Sequence, residues 1–262
     1  MKHILLWVAA GLLLVILVLA ILPFVISVDT YRGAIEKAAH DATGRTLTIA
    51  GPMRLTVFPE IGVTAKNVRF SNMAGGRAAD MASAATLRIS VSTLPLLAGR
   101  VRVAGITLEK PVIDLEVDTG GRGNWTFARQ SPQGQTGRGL PKDLSFSGMD
   151  ITGGTILYAD DTTGKAIRLD DVDLHLAVTR LDAPAALSGH FAYLGHKIAI
   201  DGRMTTLQSL SQGAATALAL SLKSELGDVS FDGSLAADRS LGGALKADVP
   251  SARKLGAWLG KD

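Results

Sequence analysis

The sequence predicts a mainly β protein: an N-terminal transmembrane helix followed by a long antiparallel sheet, with a few short helices. Three observations carry that reading. Residues 4–26, ILLWVAAGLLLVILVLAILPFVI, are almost wholly apolar and uncharged. From Arg45 onward apolar residues recur at every second position in short runs, the pattern of half-buried antiparallel strands. Glycine is abundant, 29 of 262 residues, and punctuates those runs as turns.

The first element is the anchor. A helix over residues 4–26 is about 34 Å long, enough to cross a hydrocarbon core of about 30 Å. In hydrocarbon a helix satisfies its own backbone polar groups. Ile4, Leu5, Leu6 and Trp7 open it; Leu12, Leu13, Leu14, Val15, Ile16 and Leu17 fill its middle; Leu19, Ile21 and Phe24 carry it to its end. A cleaved signal peptide is the rival. Val18-Leu19-Ala20 offers small residues to a peptidase, but the apolar run continues to Ile26, beyond the about 7–15 residues of a signal h-region. An uncleaved signal anchor is expected. Lys2 and the α-amino group precede it, while Asp29, Arg32, Glu36 and Lys37 follow with mixed signs. The positive-inside rule then leaves the N-terminus in the cytoplasm and the bulk outside it.

Roughly 235 residues remain after the anchor, enough for a sizeable core. The pI of 9.2 points toward nucleic acid, but the net charge is only +3. Lys and Arg are scattered among Asp and Glu, with no basic run and no interleaved aromatics, so no nucleic-acid partner is expected. The chain has no cysteine, which excludes disulfides and thiolate chemistry.

Residues 27–43 read as a helix, with Val28, Tyr31, Ile35 and Ala38-Ala39 at helical spacing, Asp29 as N-cap and Gly44 as the C′ glycine. The period then changes to two. Leu47 and Ile49 share a face, as do Leu55 and Val57, then Ile61, Val63 and Ala65, then Val68 and Phe70. Residues 75–83 read as a small-residue loop. Leu87, Ile89 and Val91 resume the alternation, 93–99 (TLPLLAG) reads as a short helical turn, and Val101, Val103, Ile106 and Leu108 precede Ile113, Leu115 and Val117. GGRGNWTF closes the block at Phe127. Residues 128–141 have no hydrophobic period and read as a linker. The expected division is therefore 1–27 stub and anchor, 28–127 first β region, 128–141 linker and 142–262 second β region.

In the second region Met149 to Tyr158 contains Gly153-Gly154. Ile167 and Leu169 lead into Val172, Leu174, Leu176 and Val178, and a hairpin is expected about Gly195-His196. Leu218, Leu220 and Leu222 begin a strand that Val229, Phe231 and Leu235 continue, followed by 243–247. Ser251 caps a terminal helix presenting Leu255, Trp258 and Leu259.

No catalytic, metal or cofactor constellation stands out, and an enzyme is not expected. The five histidines lack an HExxH or tight ligand spacing, though His190 and His196 flank a hairpin. No GxSxG elbow is present. Gly164-Lys165 lacks the rest of a phosphate loop, and Gly120-Gly121-Arg122-Gly123 reads as a turn. Asp160, Asp161, Asp170, Asp171 and Asp173 lack the calcium-loop spacing, and Asp160 sits where a turn is needed. What remains is one apolar face running through many short strands. It packs shut in a closed sandwich and lines a groove in an open sheet; alternation alone does not choose.

The order of features resembles the AsmA family. The anchor, GRTLTIAGPMRLTVFPEIGVTAKNVRFSN and LPLLAGRVRVAGITLEKPVIDLEVDTGGRGNWTF carry the likeness through Phe127. Ile151-Thr-Gly-Gly-Thr, Tyr158-Ala-Asp-Asp, Leu169-Asp-Asp-Val, Asp182-Ala-Pro and Ala257-Trp-Leu-Gly extend it. The resemblance implies an inner-membrane-anchored periplasmic protein of Gram-negative bacteria, with a long curved antiparallel sheet (a repeating β-groove) around a hydrophobic channel. It also implies a role in outer-membrane biogenesis and phospholipid as ligand. A dozen strands at about 4.8 Å would give a sheet roughly 60 Å long. The expected groove lining is Ile49, Val57, Val63, Phe70, Ile89, Val103, Leu115 and Leu174. The second reading is a non-enzymatic, membrane-tethered scaffold for an envelope or outer-membrane assembly protein, using a sheet edge or the Leu255-Trp258-Leu259 helix.

Overall fold

The computed structural model describes residues 28–56, 61–92, 103–127, 148–178, 182–206, 208–209, 214–236 and 240–258. The predicted transmembrane segment 4–26, Val57, the 93–99 turn, the 128–141 linker and Leu259 lie outside them. No described helix is long and apolar enough to cross a membrane.

A 3-10 turn, Val28–Tyr31, leads into helix α1, Arg32–Thr43. Gly44 ends it in the left-handed conformation, φ 69°, as the C′ position favours. The strands are β1 Leu47–Ile49, β2 Met53–Thr56, β3 Ile61–Ser71, β4 Asp80–Val91, β5 Val103–Glu109, β6 Val112–Val117 and β7 Gly148–Asp160. They continue with β8 Lys165–Val178, β9 Ala185–Tyr193, β10 His196–Met204, β11 Thr216–Ser224, β12 Gly227–Leu235 and β13 Leu241–Asp248. A short helix α2, Ala252–Trp258, follows.

All 13 strands among the described residues belong to one sheet. β1 and β2 both pair with β3, and β5 and β6 both lie between β4 and β7. Each couple is one interrupted row, broken at Gly51-Pro52 and at Lys110-Pro111. The sheet is therefore eleven rows wide, about 48 Å at the usual strand spacing, shorter than the strand count alone implies.

Four expectations are corrected. The sheet is mixed, because β5 and β6 run parallel to β7; the long connection from β6 to β7 permits the crossover that parallel strands need. Asp29 does not cap α1: Tyr31 precedes the helix without a side-chain cap, and Asp29 Oδ1 accepts instead from Met53 N–H at 3.2 Å. The 75–83 loop ends early, since β4 begins at Asp80. The run from Leu218 to Leu235 is two strands, folded back at Glu225-Leu226.

The register fixes which residues share a face, because residues directly opposite in neighbouring strands point the same way. Leu47, Ile49, Met53 and Leu55 oppose Phe70, Val68, Ala65 and Val63. Val63 and Ala65 oppose Ile89 and Leu87, which oppose Ile106 and Leu108. Those meet Met149 and Ile151, then Leu176 and Leu174. Leu187 and Gly202, Ile200 and Leu222, Leu220 and Phe231, and Phe231 and Leu245 carry the same face to the last strand.

From β3 to β8 the alternation slips by one residue along a single line. Asn67 stands level with Ala85, and Lys110, Gly153 and Asp171 continue the line. Four of the five have positive φ: Asn67 50°, Lys110 48°, Gly153 59° and Asp171 46°. A left-handed residue in a strand turns the following side chain onto the other face. The apolar face therefore survives the line, with Ala65 and Val68, Leu108 and Ile113, and Leu169 and Val172 on one side of the sheet. Between β8 and β9 the slip is absorbed as a register shift, and β9 to β13 pair without interruption.

Candidate functional site, the apolar face of the sheet

Inside its rims this face carries no Asp, Glu, Lys or Arg among the described residues. The opposite face takes the polar alternates: Arg54, Arg69, Lys66, Arg88, His175, Asp173, His190, Asp201, Arg203, Lys223, Asp228 and Lys246. On it His175 Nδ1 lies 2.6 Å from Asp150 Oδ1, and His190 Nε2 lies 3.2 Å from Asp173 Oδ2. His196 sits on the apolar side at the hairpin end, 2.6 Å from Glu225. The register thus separates His190 and His196 onto opposite faces. Asp160 accepts from Thr162 N–H at 2.8 Å and from Thr163 N–H at 3.3 Å, which holds the turn between β7 and β8.

The apolar face is covered unevenly. Next to β1 it is closed: Val28 of the 3-10 turn packs against Ile49, Met53, Ala65 and Val68 in one buried cluster. At the slip line Val172 is wholly buried, 0 % exposed. Toward the last strands the cover fails. Leu241 is 60 % and Leu245 70 % exposed, and every residue of β13 is exposed. A packed second layer would hide such side chains, so the C-terminal rows form an open apolar surface.

Seven of the eight residues expected to line a groove fall on this face: Ile49, Val63, Phe70, Ile89, Val103, Leu115 and Leu174. Val57 lies outside the described residues. The predicted terminal helix is present as α2, but Trp258 is turned inward. Its indole N–H donates to Tyr193 O at 3.3 Å, and its ring meets Tyr193 and His196 edge-on.

The two edges of the sheet differ. At β1 Arg32 donates to Ile49 O and Gly51 O, the latter at 2.8 Å, and Glu36 accepts from Ile49 N–H at 2.8 Å. These side chains occupy backbone groups that an edge strand otherwise leaves open. Gly51 is required there, since a Cβ would stand 2.6 Å from Lys66 O.

One rim of the face is built by a polar clasp that periodicity did not reveal. Glu116, 3 % exposed, accepts from Asn72 Nδ2, Arg77 N–H and Ala78 N–H at 2.8–3.0 Å. Asn124, wholly buried, donates to Asn72 Oδ1 and Asp114 O. Arg45 closes the clasp by donating to Asn124 O at 2.8 Å. Its guanidinium lies over the Phe127 ring, which meets Phe70 edge-on at 6.0 Å. Burial, and then the positive charge of Arg122, push the Arg45 pKa below its ordinary value. Burial, and then Glu116, push the Asp114 carboxyl up.

A single sheet with one apolar face, covered at one end and open at the other, defines a class of protein that offers a long apolar surface. Residues 1–238 match the AsmA family, and the chain belongs to it. Comparison with curated proteins and with solved structures returns no match.

Proposed function

We propose that this protein is anchored in the inner membrane and handles phospholipid along its apolar β-groove, in the service of outer-membrane biogenesis. The observation that carries the reading is the apolar face itself: continuous over eleven rows, free of charge inside its rims, and uncovered toward β13. Exposed apolar area of this extent marks a binding surface. Acyl chains suit it, because they need no hydrogen bonds and gain about 0.8 kcal/mol per methylene buried. Family membership supports an envelope role. Residues 4–26 supply the anchor, and Val28 then begins the closed end of the face, so the membrane stands beside β1. With no Asp, Glu, Lys or Arg inside the rims of the described face, transfer without chemistry is the activity proposed.

Neighbouring residues on opposite faces give the test. A photoreactive amino acid is placed in the full chain at Leu174 or Leu220, and separately at His175 or Ser221. Irradiation of living cells should attach phospholipid at the first two positions and not at the second two. No lipid at Leu174 and Leu220 would sink the reading. The scaffold reading draws on the bare β13 edge; protein adducts at Leu241 or Leu245, with no lipid anywhere, would favour it.

A further inference from the structure

We propose that Arg45 forms a headgroup subsite at the rim of the apolar face, holding the phosphate of a glycerophospholipid whose acyl chains lie on that face. The inference rests on the lipid reading above and adds the residue that holds the phosphate of that ligand.

Arg45 stands apart from the other described cations. Arg32, Arg77, Arg122 and Arg168 each pair with a carboxylate, as does Lys37. The remaining described arginines and lysines are exposed. Arg45 is half-buried and has no carboxylate partner among the described residues. Its side chain makes one hydrogen bond, Nη2 to Asn124 O, and its buried Nη1 makes none. A guanidinium whose charge is partly desolvated and unpaired with a carboxylate is one that an anion would stabilise. Arg122 adds positive charge beside it.

Its position suits a headgroup. Phe70 and Leu47 are paired at the end of the apolar face. Phe127 leans on Phe70, and Arg45 lies over Phe127, 5.6 Å from the ring centroid. The order from groove to rim is therefore aliphatic, aromatic, cationic. That sequence matches acyl chain, glycerol and phosphate. A guanidinium can engage two phosphate oxygens at once. The aromatic ring and the Asn124 carbonyl hold it in place beforehand.

The test uses the full chain in detergent micelles, with bound lipid counted by native mass spectrometry. Phosphatidylglycerol is compared with a diacylglycerol of the same chains, which lacks the phosphate. Wild type should prefer phosphatidylglycerol. Arg45→Gln should lower its retention about tenfold, the loss of one charge-assisted contact, and leave diacylglycerol unchanged. Arg45→Lys should restore part of the preference. Arg69→Gln, on the opposite face, should change neither lipid. Preference retained in Arg45→Gln overturns the subsite. So does an equal loss of both lipids, which would make Arg45 a support of the fold. Displacement of phosphatidylglycerol by inorganic phosphate would show a free-anion site and overturn the lipid assignment. Wild type holding neither lipid defeats the groove reading itself, a different failure.

Discussion

Rows β1 to β8 and rows β9 to β13 share one sheet and one apolar face, yet they solve burial differently. In the first half the alternation slips along the line from Asn67 to Asp171, and most buried side chains of the apolar face gather around it and under Val28: Ile49, Met53, Ala65, Val68, Ala84 and Val172, with Val178 buried at the end of β8. In the second half the pairing is regular; Ala185, Ile198 and Leu226 are buried, but the apolar side chains of β11 to β13 stay half-buried or exposed. The proportion of apolar residues is not what differs: it is roughly half of the strand residues in each part. Left-handed residues increase local bend and twist, which brings side chains of one face together. Regular pairing keeps them spread. A sheet of this kind can therefore make its own core at one end and leave its other end unsatisfied, as a surface for a ligand.

The strongest challenge to this comparison is the same class of substitution made in each half. Val172→Asp places a carboxylate at a wholly buried position with no partner. It should cost about 4 kcal/mol or more in urea unfolding of the micelle-held full chain. Leu245→Asp, at a position 70 % exposed, should cost about 0.5 kcal/mol while reducing bound lipid. Equal costs would mean that the two halves are packed alike and the contrast is wrong.

Much of this was readable in the sequence. Period two from Arg45 gave the strands, and Leu174, Leu176 and Val178 or Leu218, Leu220 and Leu222 gave a face. Even the slip left a trace, because apolar positions step by three from Ala65 to Val68 and from Leu169 to Val172. What the step means depends on the partner strand, and Asn67, Lys110 and Asp171 show no local preference strong enough to announce positive φ. The parallel pairing of β7 was not readable, because it depends on the path between residues 118 and 147. Asp29 was misread as a cap because its acceptor is taken by Met53, 24 residues away. Arg45 was missed because a lone arginine carries no spacing signal; its surroundings come from Asn124 and Phe127, about 80 residues downstream.

The closed end can be tested by uncapping it. Arg32→Ala removes the donors to Ile49 O and Gly51 O and frees Asp29. The cost should be about 1–2 kcal/mol. Hydrogen exchange should quicken in α1 and β1 and remain unchanged in β9 to β13. Loosening that spread to β13 would show that the halves unfold as one unit and that the closed end governs both.

The smallest effect separates the clasp from the rest by pH. Burial, then the charge of Glu116, raise the Asp114 carboxyl above its ordinary 3.8, against a smaller downward pull from Arg77. The native state thus holds this proton more tightly than the unfolded chain does. Its contribution is fully present below pH 3.8, is lost as pH rises through the raised value, and becomes a cost at neutral pH. Asp29, Asp118 and Asp160 have lowered values, so they act with the opposite sign: their stabilisation is present above 3.8 and is lost as pH falls through the lowered values. Asp114→Asn keeps the shape and removes one titration. It should raise the melting temperature at pH 7, and the advantage over wild type should shrink as pH falls toward 4. An advantage independent of pH would show that the gain comes from packing or hydrogen bonding rather than from the charge.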